Sequence, residues 1–311
     1  MIKLTFLANT RVLVVLFILI QGSLLGLIIQ VPPAHHHQVQ LSGLRASSLP
    51  YISGDTFRMA CDLIIDERQR VFNTDWVKNG SVIFLKANLI PFFFTRIHPY
   101  ITKRYILVTH NSVQPAPGKF IKYLNDKKII AWFGQNCDSN AHKKFIPIPV
   151  GIANRYWSIG DIKVFDNVRE RTKNHERPWL VYLNCVNTHP ERQEVNRLFS
   201  SKPWCVNATK KPHPEFLEDL ARCKFILCPR GNGLDCHRTW EVLLMGAIPI
   251  MKHSTLDPLF AGLPVVLINK WSDVTEDFLE KTYAKIQRTI FATDRMFGGY
   301  WLKLIAQAKK L

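Results

Sequence analysis

Short, uninterrupted apolar runs recur along most of this chain, separated by stretches of helical periodicity. Residues 82–85, 105–109, 128–132, 144–148, 179–183, 225–228, 248–251 and 265–268 have strand length without alternation, the pattern of strands buried on both faces. Between them, apolar positions at helical spacing predict helices over residues 56–70, 89–97, 119–124, 190–198, 215–221 and 274–288, and a helical stretch running to Leu311. Residues 147–157, followed by charged residues to Pro178, read as an interdomain crossing. Strands alternating with helices in this way predict parallel sheets covered on both faces. In such sheets the polar residues at the carboxyl ends of strands face the ligand, and Lys86, His110, Asn111, Gln135 and Asn136 fall there in the first half.

One further segment breaks the alternation. Residues 12–31 are uncharged and mostly aliphatic, and at about 1.5 Å per residue they are long enough for a hydrocarbon core of roughly 30 Å. Lys3 and Arg11 precede them, while Pro32-Pro33 and His35-His36-His37 follow. A cleaved signal peptide is the rival reading, but no A-x-A site ends the run. An uncleaved anchor is the expectation: 1–11 a cytoplasmic tail, 12–31 a transmembrane signal anchor, and 32–50 a stalk, with the remainder lumenal by the positive-inside rule. Asn79-Gly80-Ser81 and Asn207-Ala208-Thr209 are glycosylation sequons that agree with this topology.

Composition adds partner class. A chain of 311 residues, 47% hydrophobic, suits two modest domains. The formal charge of +17 asks for an anionic partner such as a nucleotide sugar, an acidic glycan or a membrane surface. The lysines are scattered and no RNA- or DNA-binding module is visible, so nucleic acid is not expected as a partner. All seven cysteines follow the anchor and match no zinc spacing, and their odd number leaves at least one thiol outside any intramolecular pairing. No Asp-x-Asp triplet of the kind that binds a metal–nucleotide pair occurs, so no metal and no cofactor is expected.

The densest chemistry lies in residues 224–251, KFILCPRGNGLDCHRTWEVLLMGAIPIM. An apolar strand ends at Pro229, and Gly231-Asn232-Gly233 forms a loop that tolerates positive φ. Asp235 is placed to cap a helix from about Cys236 that buries Trp240, and Gly246 suits the end of that helix. Strand, glycine loop and helix N-terminus aim backbone N–H groups at one spot, which favours an anion. Arg230 and Arg238 add two guanidinium forks suited to phosphate oxygens. Glu241, three residues after Arg238, can accept hydrogen bonds from sugar hydroxyls. The competing reading is a plain strand–turn–helix whose arginines are solvated or paired with Asp235 and Glu241.

The order P-R-G-x-G-x-D-x-x-R-x-x-E-x-L-x-x-G-x-I-P-I in this stretch resembles the nucleotide-sugar half of exostosin-type glycosyltransferases, with a looser likeness over residues 80–285. The resemblance implies an α/β fold with two Rossmann-like domains facing a cleft (the GT-B arrangement): an acceptor-side domain over 51–155, a donor domain over 156–285 and a C-terminal helix over 286–311. It implies a nucleotide diphosphate sugar, UDP-linked, as donor, and a glycan or glycoprotein acceptor. The expected donor contacts are Gly231, Asn232, Gly233, Asp235, His237 and Glu241, with Arg192 as a further phosphate contact. Arg230 and Arg238 would neutralise the departing diphosphate. His110 is the candidate base, with Asp138 or His142 as replacements, and Lys86, Asn111 and Gln135 lie on the acceptor side. A Golgi or endoplasmic reticulum membrane, with the catalytic part lumenal, is the expected location. A non-catalytic lumenal binding protein with a degenerate version of this fold is the alternative function. A sulfotransferase is disfavoured, because residues 82–90 hold no phosphate loop.

Overall fold

The computed structural model describes residues 28–31, 45–139 and 142–311. The chain divides into two compact units. One comprises the described residues 28–31, Phe57–Ile148 and Leu302–Leu311, and the other residues 45–56 and Pro149–Trp301.

In the first unit, β1 (Ile28–Gln30), β2 (Leu63–Ile65), β3 (Val71–Asn73), β4 (Ser81–Lys86), β5 (Tyr105–His110), β6 (Ile129–Gly134) and β7 (Phe145–Pro147) follow in chain order. A five-stranded sheet runs β2-β4-β5-β6-β7, every neighbouring pair parallel, while β1 and β3 form a separate antiparallel pair. Val82 to Leu85 and Tyr105 to Val108 are fully buried, as their unbroken apolar runs predict. Phe94 stacks on Tyr123 at 4.4 Å and meets Trp132 at 5.2 Å, joining the connection after β4 to β6.

The second unit holds β8 (Trp179–Leu183), β9 (Cys205–Asn207), β10 (Cys223–Leu227), β11 (Ile248–Lys252) and β12 (Val266–Ile268), all parallel in the order β12-β11-β10-β8-β9. Side chains alternate between two cores. Tyr182 and Ile226 face one with Phe165, Leu217, Leu220 and Val242; Val181, Leu183, Phe225 and Leu227 face the other with Val195, Phe199, Trp271 and Leu279. Both faces of this parallel sheet are therefore covered by helices.

Several expectations are corrected. The helix predicted over residues 56–70 is a single turn and a half, Gly54–Met59, followed by β2; Leu63 and Ile64 are strand residues paired with Ile83 and Phe84. The interdomain stretch contains a helix, Ile162–Thr172, whose Phe165 and Val168 are buried among its charged neighbours. The apolar segment over residues 89–97 is helical but irregular: Ile90–Phe92, with Pro91 accommodated in its first turn, runs directly into the π-helical Phe93–Ile97. The C-terminal helix occupies Gly298–Ala308.

Residues 12–27 of the expected anchor lie outside the described residues. Its end, Ile28–Gln30, is the strand β1, with Ile29 and the following Val31 buried. Among the described residues no helix is long and apolar enough to cross a membrane. The end of the expected stalk is packed structure: Arg45 is buried and donates from Nε and Nη2 to the Asp55 carboxylate at 2.7–3.0 Å. No disulfide joins any two of the seven cysteines.

Candidate functional site

Strand order locates the site. Within the second unit the chain runs from β8 outward to β9 and then back past β8 to β10. The helix after β8, Pro190–Phe199, buries Val195 and Phe199 in one core; the helix after β10, His237–Leu244, buries Val242 and Leu244 in the other. Connections leaving two adjacent parallel strands for opposite faces open a crevice at the strands' carboxyl ends, where ligands of such sheets bind.

Two arginine side chains meet there, beside the loop that carries a third arginine. Arg192, in the first turn of its helix, donates from Nε to the Arg230 carbonyl at 3.1 Å and from Nη1 to the Val186 carbonyl at 3.5 Å. Arg238 donates from Nη1 to Cys185 Sγ at 3.2 Å and lies 5.6 Å from the centre of the Phe216 ring. Arg230 follows Pro229 at the end of β10, and its Nε is buried with no hydrogen-bond partner. Among the described residues none of the three guanidinium groups forms an ion pair. Two cations without an ion-pair partner, Arg192 and Arg238, beside the first turn of an eight-residue helix, with Arg230 in the loop before it, favour an anion here.

Gly231 and Gly233 are not among the left-handed glycines, so the expected positive φ is not what the loop uses. Close approach explains Gly231: a Cβ there would stand 2.9 Å from Arg192 Nη2. The Gly231 N–H donates to Cys236 Sγ at 3.2 Å. Asn232 is exposed at the loop tip. Gly246, at φ +73, ends the helix as its position suggests, and Arg177 Nη2 caps the Met245 carbonyl at 2.7 Å.

Asp235 is turned inward. Cys236, not Asp235, occupies the cap position, without a side-chain cap. The Asp235 carboxylate accepts from the Val150 N–H at 2.7 Å and from Trp240 Nε1 at 3.0 Å, because these two buried donors need an acceptor inside the core. Burial pushes the Asp235 carboxyl up to about 7, against the N–H donors that favour its ionised form. Its position makes it a support of the loop. His237 is exposed and donates from Nδ1 to the Gly151 carbonyl at 2.7 Å, which places the lone pair of its neutral ring on Nε2.

Glu241 does not pair with Arg238 one turn away. It is 5% exposed, and its Oε1 lies 3.2 Å from His213 Nε2. His213 and Phe216, from the His213–Ala221 helix, and Cys185, just after β8, are the neighbours that sequence reasoning missed; the only hint was Pro212 opening the helix that precedes β10.

In the first unit, His110, Asn111, Gln135 and Asn136 form one network, which Lys86 does not join. Lys86 pairs with Glu67 at 3.2 Å. His110 is 1% exposed and its ring centre lies 5.5 Å from that of Phe57, tilted to it; its Nδ1 accepts the Asn111 N–H at 2.7 Å, which leaves Nε2 as the protonated nitrogen of the neutral ring. Gln135 Oε1 accepts the same N–H at 3.1 Å, and Gln135 Nε2 and Asn136 Nδ2 both donate to the Ser112 carbonyl. These bonds hold Asn111 and Asn136 at φ 60° and 50°. Asp138 accepts the Gly118 N–H at 3.0 Å, and His142 Nε2 lies 3.2 Å from Asn125 Oδ1, so both proposed replacements for the base are engaged in loop contacts.

No protein-family profile and no curated protein matches this chain. Among solved structures, the GtfA/B complex is similar at a TM-score of 0.37 and 11% identity, over 78% of this chain and 62% of that one. The catalytic domain of starch synthase IV from Arabidopsis thaliana, bound to ADP and acarbose, is similar at a TM-score of 0.32 and 12% identity, over 75% of this chain and 74% of that one. This chain thus spans less than two thirds of the first of these. Neither likeness is close enough to assign an activity to it.

Proposed function

We propose that this protein is a glycosyltransferase using a nucleotide diphosphate sugar, with the donor held in the second unit at the carboxyl ends of β8 and β10. The observation that carries the reading is that Arg192 and Arg238, neither ion-paired among the described residues, both reach the segment after β8, at Val186 and Cys185, beside the loop that holds Arg230 and leads into the His237–Leu244 helix. A diphosphate supplies the charge this site lacks, and its departure as a leaving group is the step that guanidinium forks and backbone N–H groups stabilise. Glu241 takes the ribose hydroxyls, in agreement with the exostosin-type order of residues around it. Because arginines provide the counter-charge, transfer proceeds without a metal. The GT-B pairing of the two units, with the acceptor glycan or glycoprotein met by the first, belongs to the same proposal. So does a Golgi or endoplasmic reticulum location with a lumenal catalytic part, which the apolar N-terminal run and the exposed asparagines of both sequons support.

Thermal stability of the full chain, measured with UDP-, GDP- and CMP-sugars and with pyrophosphate, tests the reading. One nucleoside diphosphate class should raise the melting temperature in proportion to the logarithm of its concentration, unchanged by EDTA. No stabilisation by any of them would refute donor binding. Binding with no release of nucleoside diphosphate, over a panel of glycan acceptors, would leave the non-catalytic alternative standing.

A further inference from the structure

Glu241 is almost fully buried, and a buried carboxylate oxygen reads a hydroxyl only if something holds it in register. The nearest cation by sequence, Arg238, is turned away to Cys185 and Phe216. The contact the carboxylate does make is with His213, at 3.2 Å between Oε1 and Nε2, the two side chains being 7% and 13% exposed. An ionised carboxylate only accepts, so Nε2 donates, and in the neutral ring Nδ1 is then a buried acceptor without a partner.

His213 itself has little freedom. It opens the His213–Ala221 helix directly after Pro212, and Leu217, Leu220 and Ala221 anchor that helix in the core. Its ring lies 5.4 Å from Phe165, edge to face, and 6.3 Å from Phe216 in a stacked arrangement. Phe216 is in turn the ring beneath the Arg238 guanidinium. One short helix therefore steadies both the Glu241 carboxylate and the Arg238 guanidinium, although His213 stands 28 residues before Glu241 in the chain.

We propose that His213 is a positioning residue for the nucleotide's sugar: it occupies Oε1 of Glu241, fixes the carboxylate plane, and leaves Oε2 to accept from a ribose hydroxyl, so that the site prefers ribonucleotides to deoxyribonucleotides. The inference rests on the nucleotide-sugar reading above. A site built to accept from a hydroxyl rejects the analogue that lacks it, because the oxygen is then left buried and unpaired. Without His213 the carboxylate can turn, and the penalty for the missing hydroxyl disappears.

The test is calorimetric titration of UDP and GDP, each beside its 2′-deoxy and 3′-deoxy forms, into the full chain and its variants. The parent should favour the ribonucleotide over at least one deoxy form by about tenfold or more. His213→Phe keeps the aromatic packing and removes the donor, so the ratio should fall towards one. His213→Gln returns an N–H near the position of Nε2 and should keep most of the preference. His213→Leu serves in place of the phenylalanine variant should that one fail to fold. A His213→Phe protein with the parent's ratio, or one in which every nucleotide weakens equally while the ratio stands, would overturn the proposal. If Glu241→Gln abolishes the ratio and His213→Phe does not, His213 alone is refuted and the donor site survives. If neither UDP nor GDP binds the parent, the nucleotide-sugar reading falls and this inference with it.

Discussion

Replacing Gly231 by alanine should weaken diphosphate binding while leaving the fold almost untouched. A Cβ at this position would stand 2.9 Å from Arg192 Nη2, and 3.5 Å from both Arg192 Cζ and Cys236 Sγ. Only the first is a clash, about half an ångström or more inside ordinary contact. The atom that must yield is the far end of a flexible side chain, held by the 3.1 Å bond to the Arg230 carbonyl and longer contacts to Val186 and Cys236. Gly231 has no left-handed φ, so alanine brings no backbone strain, and its effect on the unfolded chain is a gain of about 0.4–1 kcal/mol. Losing the bond to Arg230 costs roughly 0.5–1.5 kcal/mol. The two nearly cancel, and the melting temperature should stay within about two to four degrees of the parent's. Binding responds differently. Displacing the Arg192 guanidinium removes one charge-assisted contact worth about 1.5–3 kcal/mol, or roughly tenfold to 150-fold in Kd. Titration calorimetry with UDP and pyrophosphate on the parent, Gly231→Ala, Arg192→Ala and the double variant measures this. Since the alanine acts through Arg192, the double variant should bind no worse than Arg192→Ala. Parent-like affinity in Gly231→Ala, or fully additive losses in the double variant, would refute the reasoning.

Gly151→Ala should behave in the opposite way: at φ +66, with a Cβ 2.2 Å from the Ile52 carbonyl oxygen, the clash is with backbone, and soluble yield and melting temperature should collapse. Asp235 links stability to pH. Its folded carboxyl titrates near 7 against about 3.9 unfolded, so the folded state binds the extra proton between those values and stability falls as pH rises through that window. The melting-temperature advantage of the parent over Asp235→Asn should therefore shrink from pH 4.5 to 7.5, and a constant difference would contradict the assignment. His110→Asn keeps an acceptor for the Asn111 N–H and should retain the parent's transfer rate, whereas His110→Ala should slow it by loosening the loop; a slow asparagine variant would instead give the ring a proton-carrying role. In sealed microsomes, protease added outside should spare the chain beyond Pro33 and glycosidase should reduce its mass, while digestion of the bulk of the protein would reject a lumenal location.

Much of the second unit was legible because its signals are local. The runs that became β8, β10, β11 and β12 are apolar without alternation, and burial on both faces is what such runs encode. The loop with Arg230, the helix carrying Arg238 and Glu241, and the stop at Gly246 follow from turn chemistry and helical spacing within one short stretch. The errors have equally physical causes. Leu63 and Ile64 sit at helical spacing from Phe57, yet pairing with β4 overrode the local preference. The Ile162–Thr172 helix hid behind its charge because only Phe165, Val168 and Thr172 of its surface are buried.

The chain's own chemistry thus determined most of the buried strands, the loop and helix that carry Arg230 and Arg238, and the carboxylate one turn beyond them. Only the tertiary structure decided which of these meet. That β8 lies beside β10 rather than β9 beside β10 depends on pairings across long sequence separations, which no local pattern specifies; this order alone brings Arg192 to the Arg230 carbonyl and Cys185 to Arg238. Spacing on the helix would join Glu241 to Arg238. Packing of a separate helix against the same core gives Glu241 to His213 instead, because a carboxylate shut away from water takes the donor that is buried with it rather than the nearest one along the chain.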